Sequence, residues 1–186
     1  DGSVSIFMSS GHPLVLGNKS YALETTQSAF DPQKITVRLQ GQAKGSDLEA
    51  QITGGELGGY FEFRNTIINP AQDALGLMAI GIADTFNAQH QKGMDLNGNL
   101  GEALFNVGSP KVWAHTNNNP ATAAVFSAKV TDATKLVRSD YEIKYDGTNY
   151  SATRLSDDKV IATGNLAALN SALGNEGLQL NLDSGS

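Results

Sequence analysis

The loop that begins at Asp95 has the residue types of a calcium ligand set. Its sequence, Asp-Leu-Asn-Gly-Asn-Leu-Gly-Glu, places carboxylate or amide oxygens at alternate positions, as calcium-binding loops do. An EF-hand loop also needs glycine at its sixth position and glutamate at its twelfth, where this chain has Leu100 and Asn106. Because Asp and Asn readily bond their own backbone, the pattern favours a structural Asx turn, with calcium binding as the weaker alternative.

Three histidines are the other candidate metal ligands. His12, His90 and His115 are far apart in sequence, and none belongs to a His-x-x-x-His or Glu-x-x-His pair. Zinc sites built on one element use such spacings, so we predict no metal site. His90 lies near the end of a predicted helix, where an imidazole can interact with the terminal carbonyl groups.

Acidic pairs are the remaining route to catalysis. Glu56 with Glu62, or Asp140 with Asp146, could serve a hydrolase if each pair faced a cleft at a separation of about 5–10 Å. No Gly-x-Ser-x-Gly elbow occurs, and the glycine-rich string at 54–59 lacks the Gly-Lys-Ser/Thr of a phosphate loop. We predict that these glycines turn the chain into a helix, and that the protein is not an enzyme, with a hydrolase kept as an alternative. No residue is predicted to be catalytic, cofactor-binding or metal-binding.

A set of aromatic residues keeps a second alternative open. Trp113, Tyr141, Tyr145 and Tyr150 could form a sugar-stacking platform on a β-rich adhesive or glycan-binding module. Tyr141 and Tyr145 share one face of a predicted strand, so ordinary cross-strand packing is the favoured interpretation.

The overall composition excludes some classes of partner. The 186 residues carry a formal net charge of −6, with only 13 scattered Lys and Arg, so no nucleic-acid partner is predicted. No apolar run reaches the ~18 residues of a spanning helix, so no membrane partner is predicted. The absence of cysteine excludes disulfides and thiolate chemistry from this segment. Because the chain begins at Asp1 without an initiator methionine, we expect a fragment or a processed product.

Apolar spacing predicts an α+β chain in three portions. Period-2 spacing between turn signals predicts antiparallel β structure over 1–53. Portion 54–104 holds a helical segment at about 57–92, with one long helix that starts at Asn69-Pro70, followed by the Asx/Gly loop. Portion 105–186 returns to β structure, with a hairpin turn at Asp146-Gly147. The two β portions could pack together as one discontinuous domain.

The long helix has apolar residues on two faces. Leu75, Met78, Ala79, Ile82 and Phe86 follow helical spacing along a first face. Leu77 and Ile80 fall off that face, so we expect a second covered side, where a helix absent from this fragment would belong. Gly76 and Gly81 each cost about 1 kcal/mol relative to Ala inside a helix, and we expect a neighbouring backbone to approach closely there.

Several strings, taken in order, resemble the central segment of the flagellar hook-associated protein 1 family. They are the glycine-punctuated segment 54–98 with Ala83-Asp84-Thr85-Phe86-Asn87-Ala88-Gln89-His90 and Asp95-Leu96-Asn97-Gly98, the first 23 residues with Leu14-Val15-Leu16-Gly17, and Ser139-Asp140-Tyr141-Glu142-Ile143-Lys144-Tyr145-Asp146-Gly147 running on to Thr153-Arg154-Leu155-Ser156-Asp157. The resemblance implies a structural protein of the bacterial flagellum, with helical and β domains stacked in a rod and several copies in a ring at the hook–filament junction.

The resemblance also implies where the protein works and what it contacts. A family member is exported through the growing flagellum without a cleaved signal peptide, lies outside the cell, and needs no cofactor. Its partners are copies of itself and the neighbouring hook, junction and filament proteins. This chain would be the middle, outward part without the long terminal helices, so alone it is expected to be a monomer. Contacts are expected among exposed helix residues such as Asp73, Asp84 and Gln91.

Overall fold

A computed structural model describes residues 4–8, 10–42 and 46–185. The predicted β portions 1–53 and 105–186 also include residues 1–3, 9, 43–45 and 186, which lie outside these ranges. The chain forms two compact units, Asp1–Ile68 with Trp113–Ala123, and Asn69–Val112 with Ala124–Ser186. Both units mix helices with antiparallel strands, so the predicted α+β class is confirmed. The predicted portion boundaries at 53 and 104, and a shared β domain, stay predictions.

The first unit contains two small antiparallel sheets and the start of the helical segment. Its elements are β1 (Ile6–Phe7), β2 (Pro13–Leu16), β3 (Lys19–Ser20), β4 (Leu23–Gln27), β5 (Ile35–Leu39), a 3-10 turn (Glu49–Gln51), α1 (Gly55–Phe63) and a π-helical turn (Arg64–Ile68). Strands β1, β2 and β3 form one sheet, and β4 pairs with β5 in the other. The buried core includes Leu39, Leu48 and Phe61.

A buried carboxylate holds the helical segment of the first unit in place. Glu49 accepts hydrogen bonds from Arg64 at 2.5 Å and from Asn65 at 2.7 Å, and Lys34 lies 3.3 Å away. Arg64 also donates to the main-chain carbonyl of Ile35 on β5. Burial raises the pKa of the Glu49 carboxyl, but the hydrogen bonds from Asn65 and Arg64 and the charge of Lys34 outweigh it and hold that pKa below its ordinary value.

The glycines in the first turn of α1 do what the sequence predicts. Gly55 has a φ of 70°, which glycine adopts without steric cost, and a Cβ on Gly58 would lie 3.0 Å from the main-chain carbon of Thr53. The helical segment then differs from the prediction at Asn69, which continues the helix instead of starting it. Proline has no amide hydrogen and clashes with the carbonyl four residues earlier in an α-helix, and a widened turn ahead of Pro70 relieves both problems.

The second unit holds the long helix and the second β portion. Its elements are α2 (Asn69–His90), β6 (Val125–Val130), a 3-10 turn (Ala133–Lys135), β7 (Tyr141–Tyr145), β8 (Tyr150–Arg154), β9 (Lys159–Gly164), α3 (Leu166–Gly174) and β10 (Leu178–Ser184). Strands β7, β8 and β9 form an antiparallel sheet, and β6 pairs with β10. Helix α3 packs on β8, β9 and β10, and its Leu169 and Leu173 are buried.

Local polar contacts fix the turns of this second β portion. The Asp146 carboxylate accepts hydrogen bonds from the amides of Thr148 and Asn149, which closes the predicted β7–β8 hairpin. The Asn165 side chain caps α3 by accepting from the amide of Ala168 at 3.0 Å.

Candidate interaction surface

Helix α2 has one covered side and one open side. Ala83 is buried and Leu77 and Ile80 are half-buried, on the side of the helix that contacts the 3-10 turn Ala133–Lys135. Helical geometry puts residues three and four apart on one face, so these three residues belong to one packed side. The second unit's own residues therefore cover part of this side, and cover by a helix absent from this chain stays a prediction.

The first apolar face of α2 is the exposed one. Four large side chains on it are more than half exposed, and we call them the apolar stripe: Leu75 at 62%, Met78 at 57%, Ile82 at 57% and Phe86 at 56%. Their spacing of three, four and four residues keeps them on one side of the helix. Single exposed apolar residues are common on protein surfaces, but a row of this length is typical of an interaction site.

The two helix glycines do not approach another part of the chain. A Cβ built on Gly76 or Gly81 would meet no atom within 4 Å among the described residues. The predicted close backbone approach is therefore wrong for this structure.

A clamp at the end of α2 adds a residue to the apolar surface. The Asn87 side chain donates to the carbonyl of Phe105 and accepts from its amide, both at 2.8 Å. The His90 ring donates through Nδ1 to the carbonyl of Glu102 at 2.6 Å. The Phe105 ring consequently lies edge-on to Phe86, with centroids 6.0 Å apart, and remains about half exposed.

Close packing at Gly101 makes this clamp possible. A Cβ there would lie 2.2 Å from the main-chain oxygen of His90, where real contacts are not found. Only glycine therefore lets the segment 101–105 return along the helix. Sequence reasoning missed Asn87, Gly101 and Phe105, although the three-residue spacing of Asn87 and His90, which puts both on one helix face, was a usable signal.

The loop after the helix is a structural Asx turn. Asp95 Oδ1 accepts from the amides of Asn97 and Asn99, each at 2.8 Å, and Oδ2 accepts from the Asn99 side chain. The hydrogen bonds from the Asn99 side chain and main chain hold the pKa of the Asp95 carboxyl below its ordinary value. Gly93 donates its amide to the carbonyl of His90, so the helix ends close to the predicted position.

The side chains of His12, His115 and Glu56 have local structural partners. His12 lies 3.1 Å from the Ser10 hydroxyl, and the His115 ring accepts from the amide of Asn117. Glu56 accepts from the Tyr60 hydroxyl one helical turn away. Across residues 4–8, 10–42 and 46–185, no three His, Asp or Glu side chains are placed to hold a metal ion.

The three tyrosines of the aromatic set are divided between sheet packing and an acidic partner. Tyr145 and Tyr150 oppose each other on β7 and β8, with ring centroids 4.6 Å apart, as predicted for cross-strand packing. The Tyr141 hydroxyl donates to Glu176, which also pairs with Arg154 at 2.7 Å. Burial and the Glu176 carboxylate both raise the pKa of Tyr141, so its hydroxyl stays a hydrogen-bond donor.

The residues predicted to make contacts are all exposed on α2 or just after it. Asp73 and Gln91 are exposed, and Asp84 is exposed where it lines a small open recess with Ile80 and Lys129. None of the helices in the described part of the chain is long and apolar enough to cross a bilayer. The geometry offers an apolar contact surface bordered by polar groups.

Comparison with known proteins identifies the family. Residues 1–105 match the flagellar hook-associated protein FlgK helical domain, and residues 114–186 match the flagellar hook-associated protein 1 D2-like domain. Flagellar hook-associated protein 1 of Salmonella typhimurium is 38% identical over 159 residues, and that of Escherichia coli K12 is 35% identical over 159 residues. Each alignment covers 84% of this chain but 29% of the relative, so the chain spans less than a third of these relatives' length.

A solved structure agrees with these sequence matches. The flagellar hook junction protein FlgK from Burkholderia pseudomallei is similar to this chain with a TM-score of 0.79 and 37% sequence identity, over 97% of this chain and 34% of that chain. The resemblance inferred from the sequence motifs is confirmed. The chain therefore belongs to the flagellar hook-associated protein 1 family.

Proposed function

We propose that this chain is part of a structural subunit that joins the hook to the filament of the bacterial flagellum. In this role it works through protein–protein contacts and not through a chemical reaction. Its partners are further copies of the full-length protein and the neighbouring hook, junction and filament proteins. It lies outside the cell after export without a cleaved signal peptide, and on its own it is a monomer.

The observation that carries this proposal is the exposed apolar stripe of α2. Full burial of a large apolar side chain contributes roughly 1.5–3 kcal/mol, and each stripe residue still exposes more than half of its surface. Covering the four residues would therefore contribute several kcal/mol, enough to hold a helix from elsewhere in the full-length protein or in a neighbouring subunit. Apolar residues at helical spacing suit a helical partner.

The clamp supports the same role. The side chains of Asn87 and His90 form hydrogen bonds with the main chain of residues 102–105, and these bonds place Phe105 beside Phe86. A surface held in shape before it binds loses less conformational entropy on association. In a symmetric assembly the same modest contact is repeated in every subunit, and the repeated contacts together hold the assembly without a single strong binding site.

Charged substitutions in the full-length protein test the proposal. Leu75→Glu and Ile82→Glu place charges in the stripe, and Gln91→Glu adds the same charge at an exposed position outside it. We expect cells with either stripe variant to export the protein but to carry hooks with few or no filaments, and cells with the Gln91 variant to swim normally. Normal filaments on cells with both stripe substitutions would refute the proposal.

A second measurement separates loss of contact from loss of folding. Because the stripe is exposed in this chain, both stripe substitutions should leave the thermal unfolding of the isolated chain within about 0.5 kcal/mol of the original. A large loss of stability would mean that the stripe is part of the core of this chain, which contradicts its assignment as a contact surface.

A further inference from the structure

We propose that Asn97 is a site of spontaneous chemical modification, where the side-chain amide is converted through a cyclic imide to aspartate and isoaspartate. Asn97 is followed by Gly98 in the loop 95–99, and both residues are exposed. Among the described residues the Asn97 side-chain amide has no hydrogen-bond partner, while its main-chain amide donates to Asp95. Its side chain is therefore free to reach the following peptide bond.

The reaction needs only groups in this loop and water. The Gly98 amide nitrogen loses its proton to solvent base and attacks Cγ of Asn97. A new carbon–nitrogen bond closes a five-membered imide, the bond from Cγ to the side-chain nitrogen breaks, and ammonia leaves. Water then opens the ring at either carbonyl, giving aspartate or isoaspartate. Glycine at position 98 has no side chain to obstruct the attack.

One contact opposes the reaction. The Gly98 amide donates to the carbonyl of Asp95 at 3.1 Å, which must break before the nitrogen can attack. A solvent-exposed hydrogen bond of this kind has a small net stability, so it slows the reaction by about tenfold at most relative to a free peptide. The loop therefore delays the conversion without preventing it.

Other positions in the second unit are protected. Asn99 and Asn106 precede Leu100 and Val107, whose side chains hinder attack by the next amide. Asp146 also precedes a glycine, but its carboxylate accepts hydrogen bonds from Thr148 and Asn149 and is held away from the chain that follows. Within the segment 93–111, the reaction should thus be confined to Asn97.

Conversion would change the loop itself. Isoaspartate inserts a methylene into the main chain between positions 97 and 98, while Asp95 and Asn99 currently pair on both sides of that point. The new carboxylate also adds negative charge next to Asp95. The bridge between Met94 and Leu100 and the pairing of Asn99 with Asp95 are therefore the contacts expected to weaken.

Incubation of this chain at mildly alkaline pH tests the proposal. Tryptic cleavage after Lys92 and Lys111 gives one peptide that contains Asn97, Asn99 and Asn106, so the two protected residues serve as internal controls. We expect the mass gain of one amide-to-acid conversion, located at Asn97 by fragmentation, with isoaspartate detected by enzymatic methylation. Asn97→Gln should abolish the mass gain. Asp95→Ala removes the carboxylate that accepts from the amides of Asn97 and Asn99. The loosened turn should also weaken the bond from the Gly98 amide to the main-chain carbonyl of residue 95, and so speed the conversion by up to about tenfold.

Two results would overturn the proposal. One is an unconverted Asn97 under conditions that convert the free peptide of the same sequence completely. The other is equal conversion at Asn99 and Asn106, which would show that neither the glycine nor the loop selects the site. An unchanged rate in Asp95→Ala would overturn the part assigned to the turn.

Discussion

Replacing Gly101 by alanine should break the clamp at the end of α2. The new Cβ would lie 2.2 Å from the main-chain oxygen of His90, and contacts under 3.0 Å are essentially never observed. Because the obstacle is backbone, the segment 101–105 must move away from the helix. Overpacking of this kind costs about 1–3 kcal/mol of stability. If the segment moves away, the hydrogen bonds of Asn87 and His90 to it are also lost, and each contributes about 1 kcal/mol at most.

We expect Gly101→Ala to lower the free energy of unfolding of the second unit by about 2 kcal/mol, which in a domain of this size lowers Tm by roughly 9 °C. Far-UV circular dichroism measures the unfolding, and hydrogen exchange measures the amides of 102–105 directly. Gly108→Ala is the matched control, because a Cβ there meets nothing within 4 Å among the described residues. If Gly101→Ala unfolds like the control and the Phe105 amide, which is bonded to Asn87, exchanges no faster, the clamp does not require glycine at position 101.

The remaining predictions concern the helix, the buried carboxylate and the core. Gly76→Ala should stabilise the chain by about 1 kcal/mol, because the position is helical and open; a loss of stability in thermal melts would contradict this. Glu49→Gln should cost about 3 kcal/mol at neutral pH by leaving Arg64 and Lys34 without their partner. Since the folded pKa of Glu49 lies below 4.5, its contribution is present above that pH and is lost as pH falls through the folded pKa; urea unfolding against pH should show this for the original chain but not for the glutamine variant. Leu169→Ala, at a fully buried position, should cost 2–5 kcal/mol in urea unfolding, well above the loss in the partly exposed control Leu182→Ala.

The element types of this chain could be predicted because they follow from local patterns. The hairpin at Asp146-Gly147 depends on a turn whose carboxylate accepts from the amides two and three residues further on, and the long helix depends on apolar residues at spacings of three and four. Such patterns depend on residues close in sequence, so a single amino-acid sequence is enough to predict these elements. The Asx turn at Asp95 was predictable for the same reason.

The faces and the clamp were harder to predict because they depend on residues distant in sequence. Leu75 and Ile80 are equally apolar, and only the position of the turn Ala133–Lys135 decides that the side of Ile80 is packed. The partner of Asn87 is Phe105, 18 positions away across an irregular loop. The buried role of Glu49 likewise depends on Arg64, and a lone glutamate in a sequence looks like a solvated charge.

The proposed function requires that the apolar stripe of α2 is covered in the assembled flagellum. Met78 lies in the stripe and is 57% exposed in this chain, while Met94 is 67% exposed in the loop outside the stripe. Oxidative footprinting measures directly how far each methionine is protected from solvent. The two methionines are compared in the isolated chain and in purified flagella that contain the full-length protein. We predict that Met78 is oxidised readily in the isolated chain and is strongly protected in flagella, with Met94 as the reference in both samples. Equal oxidation of Met78 in the two samples would show that the stripe stays uncovered in flagella and would contradict the proposed function.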